Sequence, residues 1–308
     1  MRVAVTGASG FIGSRICADL RRRGHAVVGL VRETSNWRMI QADCERLVYG
    51  DHADETLFRE LTHDCDAVVH NSFDWTSIKG GHDQRGGLRK HLLGNLIGSI
   101  RLLEVTAPRP FVYLSSIAVH HDILPRWDNA PDEDHPLRPS TPYGACKAAV
   151  EAHLWAEHFG RERHTVAIRP AAVYGVDPKL DRSIAFGIIR RIVTDRQYEK
   201  SGGGKFVHVD DVTATVAASL EQEAAAGQAF NLADCYARWS DFAVWAADIL
   251  KIRPEVVETS PAASVNRFET TRAKALSTEI DLERGQAGLR EYLGELIGEM
   301  SKAGLTKS

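Results

Sequence analysis

The chain has 308 residues, 44% of them hydrophobic and 26% charged, which is enough for a large core in one domain or in a major and a minor lobe. A formal net charge of −3 gives no electrostatic case for nucleic-acid binding, and no apolar run approaches the roughly 20 residues of a membrane helix. Five scattered cysteines without a Cys-x-x-Cys pair predict reduced thiols and neither a disulfide framework nor a metal site.

Short apolar runs alternate with helical patterns through the first two-thirds of the chain. The expected strands are 3–5, 26–31, 67–70, 111–115 and 165–169, and the expected helices are 11–23, 54–62, 88–106 and 143–159. This alternation predicts an α/β fold, a doubly wound parallel sheet of the Rossmann type. After Pro170 the pattern becomes helix-rich. We therefore divide the chain into a Rossmann domain, 1–170, and a smaller substrate lobe, 171–308, some of whose strands return to the main sheet.

A glycine-rich loop follows the first strand and opens the first helix. Its spacing, Gly-x-x-Gly-x-x-Gly, allows a tight turn and close approach of the backbone to a pyrophosphate at the helix N-terminus. The sequence therefore predicts a dinucleotide site, with cofactor contacts from Gly7, Ser9, Gly10, Phe11, Ile12 and Gly13.

The end of the second strand bears on which dinucleotide is bound. An acidic residue here holds the ribose 2′-hydroxyl of NAD, whereas this chain has Val31 and Arg32. Arginine binds phosphate through a bidentate fork, so we predict NADP as the preferred cofactor, with NAD as the alternative and Arg38 as a second contact. Asp51 ends the next apolar stretch and either accepts the adenine amino group or caps a loop.

Tyr143 and Lys147 form a Tyr-x-x-x-Lys pair at the start of a predicted helix. Residues four apart share a helix face, and a nearby cation favours phenolate, so Tyr143 is a candidate general acid/base. The alternative is a surface pair without chemistry. Ser115 and Ser116 follow the preceding strand, which places a hydroxyl within reach of the same site.

Together these segments resemble the extended short-chain dehydrogenase/reductase family, including its epimerase/dehydratase and dihydroflavonol-reductase-like branches. The resemblance covers roughly residues 1–235. The matching segments are Thr6–Gly13, Gly50-Asp51, 66–70, Asn95, 112–118, Tyr143–Lys147, 169–175 and 206–211.

The resemblance implies a role for each matching position. Ser116 matches the catalytic serine, with Ser115 as the competing candidate. Tyr143 would exchange the proton, and Lys147 would lower the pKa of the phenol and hold the nicotinamide ribose. Asn95 would support the site, unless it is a buried helix amide. Further cofactor contacts are implied at His70, Ser115, Tyr143, Lys147, Pro170 and Val173.

Two departures from the family pattern concern the substrate. Nucleotide-sugar members usually carry asparagine where this chain has Ala172, and arginine where it has Gly204. Lys205 would supply a charge there without the arginine fork. Ile117 and Ala118 follow Ser116 where a 4,6-dehydratase needs an acidic residue. We expect substrate contacts from Trp75, Ser116, Tyr143 and Ala172, and either an apolar wall or plain packing from Trp127 and Phe186.

These features favour an NAD(P)-dependent oxidoreductase that acts on a carbonyl or secondary alcohol of a small non-nucleotide substrate. The alternative is a nucleotide-sugar epimerase with tightly bound NAD, and a third hypothesis is a non-catalytic redox sensor. We expect a small-molecule substrate as partner, no nucleic acid or membrane, and a homodimer formed through helices near 88–106 and 143–159. The strand pattern at the N-terminus leaves no room for a signal peptide, which predicts a cytoplasmic location.

Overall fold

The structure is a computed structural model that describes residues 1–76 and 87–306. Its strands are β1 (Arg2–Thr6), β2 (Ala26–Val31), β3 (Arg46–Tyr49), β4 (Ala67–His70), β5 (Phe111–Leu114), β6 (Thr165–Pro170), β7 (Ala172–Tyr174), β8 (Gln197–Glu199), β9 (Gly203–His208), β10 (Gln228–Leu232), β11 (Cys235–Arg238) and β12 (Glu255–Val257). Its α-helices are α1 (Phe11–Arg22), α2 (Phe58–Thr62), α3 (Gly87–His91), α4 (Gly98–Val105), α5 (Pro142–Arg161), α6 (Phe186–Thr194), α7 (Val209–Glu221), α8 (Trp239–Leu250), α9 (Thr271–Leu276) and α10 (Gly285–Lys302).

The main sheet has seven parallel strands in the order β10-β6-β5-β4-β1-β2-β3. Strand β1 pairs with β2 on one side and with β4 on the other, so the strand order reverses between β1 and β4. Ligands of such sheets bind beyond the carboxyl ends of the strands at this reversal. The predicted Rossmann-type sheet is confirmed.

The described residues form three hydrophobic cores, one of which packs Phe58, Leu102 and Val150 against one face of the main sheet. A second core lies against the other face of the sheet and contains Val3 and Ile16 together with Val212 of α7 and Phe230 of β10. The third lies in the C-terminal lobe, where α6, α8 and α10 pack around Phe206. Residues of α7 and β10 therefore belong to the main core, and the sequence-based division at residue 170 stays a prediction.

Within the described ranges, none of the helices has the length and hydrophobicity that crossing a bilayer requires. The predicted helix over 88–106 is realised as α3, a π-helical segment over 92–97, and α4.

Candidate active site

The glycine-rich loop connects β1 to α1 in a shape that side chains would obstruct. Gly7 has φ +65°, a conformation that glycine adopts without strain, and a Cβ at Gly13 would lie 2.1 Å from the carbonyl oxygen of Gly7. No side chain caps the amino end of α1, where Gly10 is the N-cap residue. The backbone N–H groups of this turn are therefore suited to a phosphate.

The loop after β2 is tied to the glycine-rich loop through hydroxyl groups. Ser9 donates a hydrogen bond to the Ser35 hydroxyl at 2.8 Å, and Ser35 donates to the carbonyl of Arg32 at 2.6 Å. Ser9 thus positions the chain beside the predicted ribose site. Ser35 was not predicted from the sequence.

A cavity of about 520 Å³ lies next to this loop and is lined in part by Arg32, Asp51, His52, Arg89 and Lys90. The Asp51 carboxylate accepts the N–H of Ala53 at 2.9 Å, so it caps its loop and also lines the cavity.

The role of Arg38 as a second phosphate contact stays a prediction. Its guanidinium carbon lies 4.7 Å from the ring centroid of Trp37, and Arg38 does not line either described cavity. Of the two predicted arginines, only Arg32 faces the cavity beside the cofactor loop.

A second cavity, of about 670 Å³, opens at the carboxyl ends of the central strands, and we call it the cleft. It brings together most of the predicted catalytic, nicotinamide and substrate residues. These are Phe11, Ile12, Trp75, Ser115, Ser116, Tyr143, Lys147, Pro170, Ala172 and Val173.

The two candidate serines have different partners. Ser115 is buried, and its hydroxyl donates to a carboxylate oxygen of Glu151. Ser116 lines the cleft beside Tyr143 and lowers the pKa of its phenol, and the Ser116 hydroxyl lies 3.5 Å from the carbonyl oxygen of Pro170. The geometry therefore favours Ser116 as the hydroxyl that acts with Tyr143.

Tyr143 and Lys147 lie on the first turns of α5, whose N-cap residue Thr141 accepts the N–H of Gly144 at 3.1 Å. Burial raises the pKa of Tyr143, while the nearby Ser116 hydroxyl opposes that change. Burial also lowers the pKa of Lys147 to about 8. The structure thus differs from the expectation of a lowered phenol pKa, because burial is the largest influence on the phenol. The Lys147 ammonium donates to the carbonyl of Leu114 at 2.5 Å. It lies 5.9 Å from the phenol ring centroid.

Aromatic side chains enclose the phenol. The ring of Trp75 stacks on Tyr143 with centroids 4.7 Å apart, and Phe73 meets it edge-on at 5.0 Å. Asn95 fixes this segment by accepting the N–H of Asp74 at 2.7 Å and donating to its carbonyl at 3.0 Å. The residues 77–86 of the predicted polar loop lie outside the described residues.

His70 does not contact the cleft, and its predicted cofactor role is wrong for its side chain. The ring is completely buried, and its two nitrogens are used by Thr6 at 2.7 Å and Ser99 at 2.8 Å. Trp127 and Phe186 also lie outside the cleft lining. The indole N–H of Trp127 donates to Asp132 at 2.8 Å, and Phe186 packs against the lobe core.

Sequence reasoning missed a buried ion pair beneath the cleft. Arg169 and Glu151 are both fully buried, with Nη2 of Arg169 donating to Oε2 of Glu151 at 2.7 Å. Nη1 of Arg169 donates to Nε2 of His120 at 3.0 Å. The spacing Tyr143, Lys147, Glu151 contained a usable signal, because successive intervals of four place all three on one face of α5.

His120 should make the fold sensitive to acid. Burial, the Arg169 guanidinium and His135 lower the pKa of His120 to about 3. Its stabilising contribution is present above the unfolded-state pKa and is lost as pH falls toward 3, since only the unfolded chain takes up the proton. Between pH 6.5 and 4.5, wild type should lose about 2 kcal/mol more unfolding free energy than His120→Gln. Urea unfolding at both pH values measures this difference; equal losses would contradict it.

Among residues 1–76 and 87–306, no group of three His, Cys, Asp or Glu side chains is arranged to hold a metal ion. The cleft wall also includes residues of the C-terminal lobe, among them Lys205, Tyr236, Asn266 and Phe268. Of these, only Lys205 was considered from the sequence, because nothing local links the others to the cleft.

Comparisons with known proteins agree with this architecture. Residues 3–233 match the model of the NAD dependent epimerase/dehydratase family. The chain is 30% identical over 247 residues to UDP-glucose 4-epimerase of Mycolicibacterium smegmatis, covering 75% of this chain and 77% of that protein. It is 27% identical over 183 residues to 2-alkyl-3-oxoalkanoate reductase of Stenotrophomonas maltophilia, covering 57% of this chain and 52% of that protein.

The fold is shared with the Thermus thermophilus UDP-glucose 4-epimerase solved in complex with NAD, at a TM-score of 0.77 and 22% identity. That match covers 97% of this chain and 99% of the other. The family match and the Mycolicibacterium relative each span well over half of the sequence, and the chain therefore belongs to the NAD dependent epimerase/dehydratase family, within the extended short-chain dehydrogenase/reductases.

Proposed function

We propose that this protein is an NAD(P)-dependent oxidoreductase that interconverts a carbonyl and a secondary alcohol on a small non-nucleotide substrate. One observation carries the proposal. Ala172 and Gly204 both line the cleft at the positions where nucleotide-sugar members usually carry asparagine and arginine, and its described lining contains no arginine. A bidentate partner for a sugar-nucleotide diphosphate is thus missing from the described part of the cleft.

The residues present fit a nicotinamide dinucleotide. The turn at Gly7 and Gly13 leaves no room for a side chain where a pyrophosphate would approach, and Phe11, Ile12, Pro170 and Val173 provide an apolar wall in the cleft. When bound, the nicotinamide ring supplies or accepts the hydride.

The protein's own side chains would bind the oxygen of the substrate and donate its proton. Because burial raises the pKa of Tyr143, the phenol is protonated at neutral pH and is suited to donating a proton to the oxygen of a carbonyl. Ser116 would donate a second hydrogen bond to that oxygen. Lys147 would hold the cofactor ribose, and Trp75 and Phe73 would exclude water from the phenol.

A nucleotide-sugar epimerase is the second candidate, supported by the 30% identity to UDP-glucose 4-epimerase. A redox sensor is disfavoured because Ser116, Tyr143 and Lys147 are all present in one cleft.

One assay separates the two enzymatic candidates. We expect the purified protein to oxidise added NADPH or NADH in the presence of aryl and alkyl ketones, without interconverting UDP-glucose and UDP-galactose. Epimerisation by protein that carries tightly bound NAD, with no net change in added nucleotide, would overturn the proposal in favour of the second candidate.

We further propose NADP(H) as the preferred nucleotide, supported by Arg32 in the cavity lining; NAD is the nucleotide in the Thermus structure. Arg32→Ala should raise the KM for NADPH about tenfold to a hundredfold, because a charge-assisted bond to the 2′-phosphate is lost. The KM for NADH should change less than about twofold. Steady-state kinetics with both nucleotides measure the effect, and Arg38→Ala serves as the control. Equal changes for both nucleotides would remove Arg32 from the phosphate site.

We also propose a homodimer. Two neighbouring helical segments expose large apolar side chains, among them Ile97 at 43% and Phe159 at 77%. Introducing Ile97→Glu together with Phe159→Glu should convert the dimer into a monomer, because the charges would be buried without partners. Light scattering coupled to size-exclusion chromatography measures the mass. A monomeric wild type would contradict the proposal.

A further inference from the structure

Lys205 of β9 points into the cleft without an acidic partner. Its ammonium donates to Oδ1 of Asn266 at 2.5 Å and lies 5.8 Å from the ring centroid of Phe268. Burial is the sole cause that lowers the pKa of Lys205, and no carboxylate among residues 1–76 and 87–306 forms an ion pair with it. The cation is therefore partly desolvated against a neutral amide, an arrangement that costs free energy until an anion arrives.

The rest of the cleft has the same electrostatic character. Its described lining contains Lys147 and Lys205 but no aspartate or glutamate. Two ammonium groups that face one cavity without a lining carboxylate give it a positive potential, which raises the local concentration of anions. The lining thus favours a negatively charged ligand over a neutral or cationic one.

Aromatic rings occupy much of the remaining wall. Phe73 and Trp75 lie beside Tyr143, while Tyr236 and Phe268 come from the C-terminal lobe. A wall of aromatic rings binds the apolar part of a ligand, and a few polar groups fix the orientation of that ligand. A single ammonium with an adjacent amide donor suits one carboxylate, whereas a diphosphate calls for several cations or a guanidinium fork.

We propose that Lys205 and Asn266 recognise a carboxylate of the substrate, so that the substrate class is an oxo acid, or the corresponding hydroxy acid, with an apolar body. This inference rests on the proposed oxidoreductase function. The reacting carbonyl lies at Tyr143 and Ser116, and the carboxylate lies against the lobe. Lys205 is then a specificity-determining residue that acts mainly through substrate binding.

The test compares phenyl ketones that carry a terminal carboxylate with their neutral primary amides, using 3-oxo-3-phenylpropanoate, 4-oxo-4-phenylbutanoate and 5-oxo-5-phenylpentanoate. With NADPH, wild type should reduce at least one acid with a kcat/KM about 10–100-fold above that of its amide. Lys205→Met should remove this preference, mainly through KM, and leave the amide within about twofold. Lys205→Arg should restore part of the preference, because it keeps the charge.

Lys200→Met is the matched control, since Lys200 lies outside the described cleft lining, 4.4 Å from the ring centroid of Trp239. It should leave the acid-to-amide ratio unchanged. Equal reduction of acids and amides by wild type, or equal losses for both in Lys205→Met, would overturn this inference and leave the oxidoreductase proposal standing.

A binding experiment keeps the two proposals separable if no ketone is reduced. That result would count against the oxidoreductase proposal and the oxo-acid class that rests on it, and would leave the carboxylate site to be tested by binding. Calorimetry of 4-phenylbutanoate and 4-phenylbutanamide with the NADP-loaded protein then decides the role of Lys205. We expect the acid to bind more tightly in wild type and its advantage to vanish in Lys205→Met; equal affinities in wild type would overturn the carboxylate site.

Discussion

Replacing Tyr143 with phenylalanine should lower kcat by about 10²–10⁴-fold, the usual contribution of a positioned general acid. The phenylalanine ring keeps the stacking on Trp75 and the edge contact with Phe73, so the shape of the cleft is preserved. Only the hydroxyl that lies beside Ser116 in the cleft is removed. The measurement is the rate of ketone-dependent NADPH oxidation, with nucleotide affinity determined separately by calorimetry.

Tyr198→Phe provides a control for loss of a tyrosine hydroxyl. Tyr198 packs in the core of the C-terminal lobe, outside the described cleft lining, so its variant should retain turnover. Unchanged nucleotide affinity in Tyr143→Phe would assign the loss to the proton-transfer step. Full turnover by Tyr143→Phe would show that another group supplies the proton and would remove the phenol from the mechanism.

Arg169→Met should cost about 3–5 kcal/mol of unfolding free energy, since it leaves the buried carboxylate of Glu151 without its counter-ion. The pair has no exposed surface, and three hydrogen bonds join the guanidinium to that carboxylate. The variant Arg169→Met with Glu151→Leu should be more stable than Arg169→Met alone, because it removes the unpaired charge. Urea unfolding at pH 7 measures all three proteins.

An exposed ion pair provides the control with which the effect of Arg169→Met is compared. Arg161 and Glu157 lie 2.7 Å apart on the same helix, with the Arg161 side chain 68% exposed, so Arg161→Met should cost at most about 1 kcal/mol. If Arg169→Met were no more destabilising than Arg161→Met, the buried pair would not be a stabilising element of the native state.

The main sheet and much of the cleft were predictable, because their signals are local in sequence. Apolar strands, the glycine-rich turn and the spacing of Tyr143 and Lys147 each depend on neighbours within a few residues. The pKa of Tyr143 was not predictable, since it depends on burial and on where the Lys147 ammonium points. Residue type also did not reveal that both nitrogens of His70 are occupied.

Contacts between segments that are distant in sequence were the main part of the site that could not be predicted. Asn266 meets Lys205 across 61 positions of sequence, and Glu133 accepts the N–H of Asn231 across 98. No periodicity or motif in the sequence predicts these contacts, because only the tertiary fold brings the two segments of each pair together. The pairing of Lys205 with Asn266, on which the proposed substrate class rests, was therefore visible only in the structure.

The way β10 joins the main sheet limits how this chain can be divided. Its residues Gln228–Leu232 pair with β6, which would otherwise be the border strand. A fragment that stopped at residue 170 would expose the unpaired backbone of β6 and the apolar surface that α7 covers. We therefore expect such a fragment to self-associate and not to fold on its own. Chimeras that exchange the substrate lobe must keep residues 209–232 with the recipient's own sheet.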